Sequence, residues 1–289
     1  MDVDVIYYKD ARYMTELEDN SITLIVTSPP YWNIKDYSLD GYQEQARTDK
    51  IEGQIGDIDD YQEYLTQLTE VWKECERVLQ PNGKLCVNVP LMPVLKKHLS
   101  THYTRDIFNL YSDIEHEILQ NTRLYLLDVY IWNRMNPTKK LMFGSYPYPS
   151  NFYAQNTIEF IGIFVKDGEP PKRTPEIKEA SKLTQDEWVA YTKQVWDIPI
   201  PNKGDVAYGI HPAIMPLELA YRLIRLYSFV DDIVLDPFMG SGTTASAAVK
   251  AKRHYIGYEI DPSFEKIIKQ RLAQLPLMTS GWTRKDKRR

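Results

Sequence analysis

Seven short apolar runs, separated by stretches with helical spacing, constrain this chain of 289 residues more than any other feature. The runs are "DVIYY" (4–8), "TLIVTS" (23–28), "KLCVNV" (84–89), "LYLLDVYIW" (124–132), "IEFIGIFV" (158–165), "DIVLD" (232–236) and "HYIGYEI" (254–260). Most are apolar throughout instead of alternating, the pattern of strands buried on both faces. Between Tyr61 and Leu79, apolar residues recur at Tyr61, Leu65, Leu68, Trp72, Cys75 and Leu79, spacings of three and four that predict a helix, which "QPNG" then stops. Pro216–Tyr227 and residues 263–275 carry two more helical patterns. Strand–helix alternation of this kind predicts an α/β fold with a single, mostly parallel, seven-stranded sheet flanked by helices.

Two segments break the alternation. Residues 33–60 are polar. Residues 166–210 hold many Pro and Lys, and no convincing strand is read there. Loops of such length in a compact domain are usually functional or disordered. The N-terminus has neither the basic start nor the apolar run of a signal peptide, and no run approaches a membrane span, so a soluble cytoplasmic protein is expected. Cys75 and Cys86 have no disulfide or zinc spacing and read as reduced core thiols. The net charge of −5 argues weakly against nucleic acid, but basic residues cluster locally: Arg134, Lys139 and Lys140; Lys172 and Arg173; and the tail 276–289.

Two stretches carry chemistry. In "TSPPYW" (27–32) a core strand runs into two prolines and two aromatics; an ordinary strand-ending turn is the bland alternative. In "VLDPFMGSGTTASAAVKAKRHYIGYEID" (234–261) a strand ends at Asp236, a Gly-Ser-Gly turn opens a small-residue helix, and the next strand ends in Glu259. Glycines let backbone approach a ligand, a helix N-terminus offers free N–H groups, and an acid ending the next strand can take both hydroxyls of a ribose. No Lys follows the second Gly, so this is not a phosphate loop, and the third Gly of a dinucleotide fingerprint is missing.

With "TSPPYW", "DPFMGSGTT" and "YIGYEID" in view, the chain resembles the S-adenosylmethionine-dependent DNA amino-methyltransferases, in the circularly permuted order called beta, and of the cytosine-N4 type. The resemblance implies a Rossmann-like methyltransferase fold. Residues 1–165 are its catalytic half and 211–275 its cofactor half. Residues 166–210 are an irregular target-recognition insert, and 276–289 a basic tail. It implies S-adenosyl-L-methionine held by Asp236, Phe238, Gly240, Gly242, Thr243 and Glu259, with Asp10 near the adenine and His211 and Pro212 at the entry to the closing helix. A turn aspartate and a structural histidine are the alternatives at Asp10 and His211.

The same resemblance makes Ser28, Pro29, Pro30 and Tyr31 catalytic. An exocyclic amine has its lone pair delocalised into the ring. A hydroxyl at Ser28 and the Pro29 carbonyl can accept its two N–H protons and localise that pair, with Tyr31 stacking on a base flipped from duplex DNA. C5 methylation, which needs a Pro-Cys nucleophile, is excluded, because neither cysteine follows a proline. Ser before Pro-Pro-Tyr favours cytosine N4 over adenine N6, where Asp or Asn is usual; an RNA substrate is a further alternative. Trp32, Arg134, Lys139, Lys140, Lys172 and Arg173 are the expected DNA contacts, with a wall of the pocket the alternative at Trp32, and a restriction endonuclease of the same site is the expected partner.

Overall fold

The expected alternation is built, with one strand more than expected. The computed structural model describes residues 1–32, 51–95, 105–135, 145–150, 152, 154, 156–211 and 213–274. In chain order the elements are β1 (Val5–Tyr7), β2 (Ile22–Thr27), α1 (Tyr61–Val78), β3 (Leu79–Pro90), β4 (Met92–Leu95), β5 (Arg105–Phe108), α2 (Leu110–Asn121), β6 (Leu124–Arg134), β7 (Ile158–Lys166), α3 (Pro175–Ala180), α4 (Gln185–Tyr191), β8 (Val195–Ile198), α5 (Leu217–Tyr227), β9 (Ile233–Asp236), α6 (Thr243–Lys250), β10 (His254–Tyr258) and α7 (Glu265–Ala273). Short 3-10 turns lie at Ile55–Asp57 and Pro262–Phe264.

The main sheet has eight strands in the order β1-β10-β9-β2-β3-β7-β6-β8. All run parallel except β7, which is antiparallel to both neighbours. Strand order reverses between β9 and β2: the chain winds outward from β2 to β3 in one direction and from β9 to β10 in the other. Ligands of open α/β sheets bind at such a switch point, beyond the carboxyl ends of the strands. Because β7 is reversed, its first residues, not its last, lie at that functional edge.

Both sheet faces are covered, which is why the strands lack alternation. Ile25, Leu85, Val87 and Leu235 face a cluster built with Leu65, Leu68 and Trp72 of α1 and Ile114 and Ile118 of α2. Leu24, Val26, Cys86 and Val234 face the opposite cluster, with Leu219, Leu223 and Ile224 of α5 and Ala247 and Ala248 of α6. Cys75 and Cys86 are free and buried, as expected. Helix α1 starts where Asp60 caps the Glu63 N–H at 2.8 Å and ends at Val78, two residues before "QPNG", where Asn82 takes a left-handed φ of 62°.

The structure corrects the reading of 166–210. This segment contributes α3, α4 and the eighth strand. Strand β8 pairs in parallel with β6 from Ile131↔Val195 to Arg134↔Ile198. Trp196 is 1% exposed, packs on Tyr130 with ring centroids 4.7 Å apart, and donates its indole N–H to the Tyr191 carbonyl. Only residues 199–210 of the segment run toward the functional edge. The small hairpin β4–β5 is a second feature absent from the sequence reading. Lys139, Lys140, Pro212 and the tail 276–289 lie outside the described residues. Among the described residues, no helix is long and apolar enough to cross a membrane.

If β8 belongs to the core, Trp196→Ala should cost about 3–5 kcal/mol, as for other buried Trp truncations. Chemical denaturation should show this as a lower midpoint, whereas an unchanged midpoint would restore the insert reading.

Candidate active site

At the switch point lies a cavity of about 300 Å³, lined by Asp10, Ser28, Tyr31, Ile55, His211, Asp236, Phe238, Gly240, Thr243, Glu259 and Phe264 among others. The two sequence stretches that carry chemistry, 209 residues apart at Thr27 and Asp236, therefore meet in one site.

The joint is made by hydrogen bonds. Thr27, the last residue of β2, donates its hydroxyl to Asp236 Oδ1 at 2.7 Å. Thr244 of α6 donates to Asp236 Oδ2 at 2.6 Å, and the Phe238 N–H donates to Oδ1 at 3.0 Å. The carboxylate that the sequence assigned to cofactor binding lines the cavity, but it spends these bonds tying β2, the glycine turn and α6 together. Burial pushes Asp236 up to about 6, with the three donors opposing.

The glycine turn has the shape its residues permit. Gly240 and Gly242 have φ of +51° and +82°, the left-handed region, and a Cβ on Gly240 would lie 2.7 Å from His211 Nε2. Glu259 shapes the same turn: Oε2 accepts the Gly240 N–H at 2.7 Å and Oε1 the Asp261 N–H at 2.8 Å. Each oxygen keeps acceptor capacity for a ribose hydroxyl. His211 accepts the Ala213 N–H on Nδ1, which puts its proton on Nε2 facing Gly240. Desolvation lowers it to about 4, so it is neutral near pH 7, and its ring packs on Phe264 at 4.9 Å. Arg271 locks the turn from behind, with Nε on the Ser241 carbonyl at 2.9 Å and Nη2 on Asp205 at 2.6 Å. Asp10 is held by the Arg12 guanidinium, whose Nε lies 2.9 Å from Oδ2. Phe238 packs edge-on against Trp72.

One atom of this half is unsatisfied. Thr243 Oγ1, at the first turn of α6 and lining the cavity, is buried without a hydrogen-bond partner. A buried hydroxyl left this way is costly unless a ligand completes it. With the close-approach glycines and Glu259, it fits a nucleoside ligand carrying a carboxylate.

The other half is the Ser-Pro-Pro corner. Ser28 donates to the Asn88 carbonyl at 3.0 Å, and its Oγ lies 2.8 Å from the Tyr31 hydroxyl. The Tyr64 hydroxyl donates to the Pro30 carbonyl at 2.9 Å, fixing the corner to α1. Tyr31 lines the cavity but is only 6% exposed, so its ring is anchored instead of standing free for stacking. Trp32, expected at the DNA or as a pocket wall, is turned into the core instead: its indole N–H donates to the Ile58 carbonyl at 2.9 Å, and its ring packs on Tyr61 and Phe108. Arg134 reaches the functional edge but is turned inward, 3.5 Å from Glu159, and also donates to the Asn156 carbonyl. Arg173 binds Asp232 at 2.7 Å, before the first residue of β9. It and the neighbouring Lys172 therefore sit at the opposite end of the sheet from the cavity.

Sequence reasoning missed Thr27, Asn88 and Glu159. The only available signal was Glu159 itself, a carboxylate at the start of an otherwise apolar run.

A mostly parallel sheet with a glycine turn, a carboxylate with spare acceptor capacity and a polar corner at one switch point is built to hold a nucleoside ligand. The DNA methylase family model matches residues 22–270, and the chain belongs to that N6/N4 DNA methylase family. It is 32% identical to the Type II methyltransferase M.MjaI of Methanocaldococcus jannaschii over 92% of this chain and 90% of that one. It is 32% identical to M.MthZI of Methanothermobacter thermautotrophicus over 92% and 76%. Among solved structures, a Thermus thermophilus protein described as a putative DNA modification methylase, complexed with S-adenosyl-L-methionine, superposes with a TM-score of 0.72 at 31% identity over 93% of both chains. PvuII DNA methyltransferase (cytosine-N4-specific) shares the fold with a TM-score of 0.65 at 19% identity, over 98% of this chain and 89% of that one. The chain is thus an S-adenosyl-L-methionine-dependent DNA methyltransferase.

Two outcomes test the cofactor half. Gly240→Ala should lower S-adenosyl-L-methionine affinity by at least ~10-fold in calorimetry, since neither the left-handed φ nor His211 leaves room for a methyl group; wild-type affinity would refute this. Asp236 has an ordinary value of 3.8 and a folded value of about 6, so between them the folded state binds more protons. Cofactor-free wild type should therefore lose stability relative to Asp236→Asn as pH rises from about 4 to about 6, by ~3 kcal/mol. A flat difference across that range would show that the carboxylate ionises without cost.

Proposed function

We propose that the chain methylates the exocyclic N4 of cytosine in a short duplex sequence, with the motif order of the permuted beta group. The observation that carries this reading is Ser28: a neutral hydroxyl, not a carboxylate or amide, stands at the corner that shares a cavity with the cofactor residues. The bound cofactor supplies an electrophilic methyl on a sulfonium: the new N–C bond forms as S–C breaks, the electron pair stays on sulfur, and the amine is left with a surplus proton.

The chain's own residues do the rest. Thr243, Gly240 and Glu259 hold the cofactor. Ser28 and the Pro29 carbonyl accept the amine N–H groups and direct its lone pair into the cavity. Trp32, Tyr61 and Tyr64 hold the corner rigid, so positioning supplies much of the rate. The cavity is a recess among the residues that follow the strand ends, so the base must leave the duplex to enter it.

The duplex approaches that edge. The β6–β7 connection there exposes Tyr146, Tyr148 and Phe152, rings able to stack on bases or wedge a step apart. Recognition thus falls to loops of this edge, residues 199–210 included, and not to the whole of 166–210. The relatives' Type II names support a protective role beside a restriction endonuclease. Adenine N6 is the second reading, compatible with a family model that spans both chemistries.

Duplex methylated by the purified protein should yield N4-methylcytosine on nucleoside mass spectrometry; N6-methyladenine alone would overturn the base assignment. Ser28→Ala should slow single turnover roughly 10²-fold or more with cofactor affinity within about 3-fold. A full rate would remove Ser28 from the mechanism.

A further inference from the structure

Behind the Ser-Pro-Pro corner lies a buried polar cluster that the functional reading does not use. Glu159, second residue of the reversed strand β7, is 6% exposed. The Asn88 side-chain amide donates to its Oε2 at 2.6 Å, and Arg134 Nη1 lies 3.5 Å from Oε1. The Tyr31 hydroxyl also hydrogen-bonds this carboxylate. That hydroxyl lies 2.8 Å from Ser28 Oγ, and either oxygen can donate in the contact. When Ser28 turns its single hydroxyl proton from the Asn88 carbonyl to Tyr31, a path of hydrogen bonds runs from the cavity through Ser28 and Tyr31 to Glu159.

The cluster is poorly built for a purely structural ion pair. Arg134 approaches without a bidentate fit, and both Arg134 Nε and Asn88 Oδ1 are buried without a partner. A buried carboxylate is tolerated for stability only when paired and fully hydrogen-bonded. Buried carboxylates beside a reaction cavity are instead typical of proton-handling groups.

We infer that Glu159 is the positioning residue and terminal proton acceptor of the transfer, taking through Tyr31 and Ser28 the proton that the methylated amine sheds. The inference rests on the reading of Ser28 as the amine's acceptor. The amine gives its surplus proton to Ser28 Oγ, the Ser28 hydroxyl proton passes to Tyr31 Oη, and the Tyr31 proton passes to Glu159. Both hydroxyls end as hydroxyls, the amine ends neutral, and the carboxylate ends as a carboxylic acid. The groups facing Glu159 are Arg134 from β6, Asn88 from β3 and Tyr31 from the corner after β2. Burial raises its proton affinity above the usual carboxylate range, while these three oppose. The raised affinity favours Glu159 as the group on which a proton released in the cavity comes to rest.

The test is Glu159→Gln, which keeps the shape and removes the base. Cofactor and duplex affinities should stay within about 3-fold, while single-turnover transfer at saturating cofactor slows roughly 10²- to 10³-fold. The wild-type rate should fall toward acid as Glu159 is protonated. That limb should vanish in Glu159→Gln and persist in Glu159→Asp. In cofactor-free wild type, an infrared carboxylic-acid band should titrate above the usual carboxylate range and be missing from Glu159→Gln. A Glu159→Gln enzyme with wild-type rate and the same acid limb, or the same band, overturns the inference. If Glu159→Gln fails to bind cofactor, Tyr31→Phe decides, since it breaks the path and leaves the carboxylate in place: loss of the limb supports the relay, and its retention refutes it. N6-methyladenine formed with the limb lost in Glu159→Gln would leave the relay standing and strike only the base assignment.

Discussion

The site exists because Asp236 holds Thr27. These side chains end the two strands on either side of the sheet's switch point, and their 2.7 Å hydrogen bond brings the Ser-Pro-Pro corner against the glycine turn. Thr244 and the Phe238 N–H complete the carboxylate, so helix α6 is fixed from the same atoms. Such a network is worth having only when every member is satisfied, since low dielectric strengthens paired groups and penalises unpaired ones. The two halves of the cavity therefore meet in a geometry set by buried side chains on rigid elements.

The sequence made the layers legible. All seven expected strands form, because burial on both faces writes itself as unbroken apolar runs. Strand β8 escaped because "VWDI" is four residues long, with Val195 and Asp197 exposed and only Trp196 and Ile198 inward. Both halves of the site were legible too, as local motifs with a chemical logic of their own. What stayed hidden was everything that depends on strand direction and tertiary contact. Nothing in "SPPYW" reveals that Tyr31 is anchored or that Trp32 faces inward. Nothing near Lys172 and Arg173 reveals which end of the sheet they occupy. Glu159 could be seen as an odd residue but not placed, because its nearness to Ser28 follows from the reversal of β7.

That reversal is a constraint with uses. In a wholly parallel sheet, the functional edge receives only strand ends. One antiparallel strand brings a strand's beginning there, and with it a side chain that enters the core before the apolar run takes over. Glu159 occupies that place, braced by Asn88 from one neighbouring strand and Arg134 from the other. The same hairpin carries the connection with the exposed rings of Tyr146, Tyr148 and Phe152, so one reversal serves both the cavity and the surface above it.

The sheet's margins have a separate consequence. Its outermost strands, β1 and β8, are three and four residues long, whereas β3, β6 and β7 inside it run to twelve, eleven and nine. An outer strand offers unpaired backbone groups to any other extended chain, and a long flat one invites aggregation. Here the long, strongly β-forming sequences are all interior, and the margins offer too little backbone to template another molecule. An eight-stranded sheet this apolar is thus shielded from sticking to its own copies by the brevity of its rims.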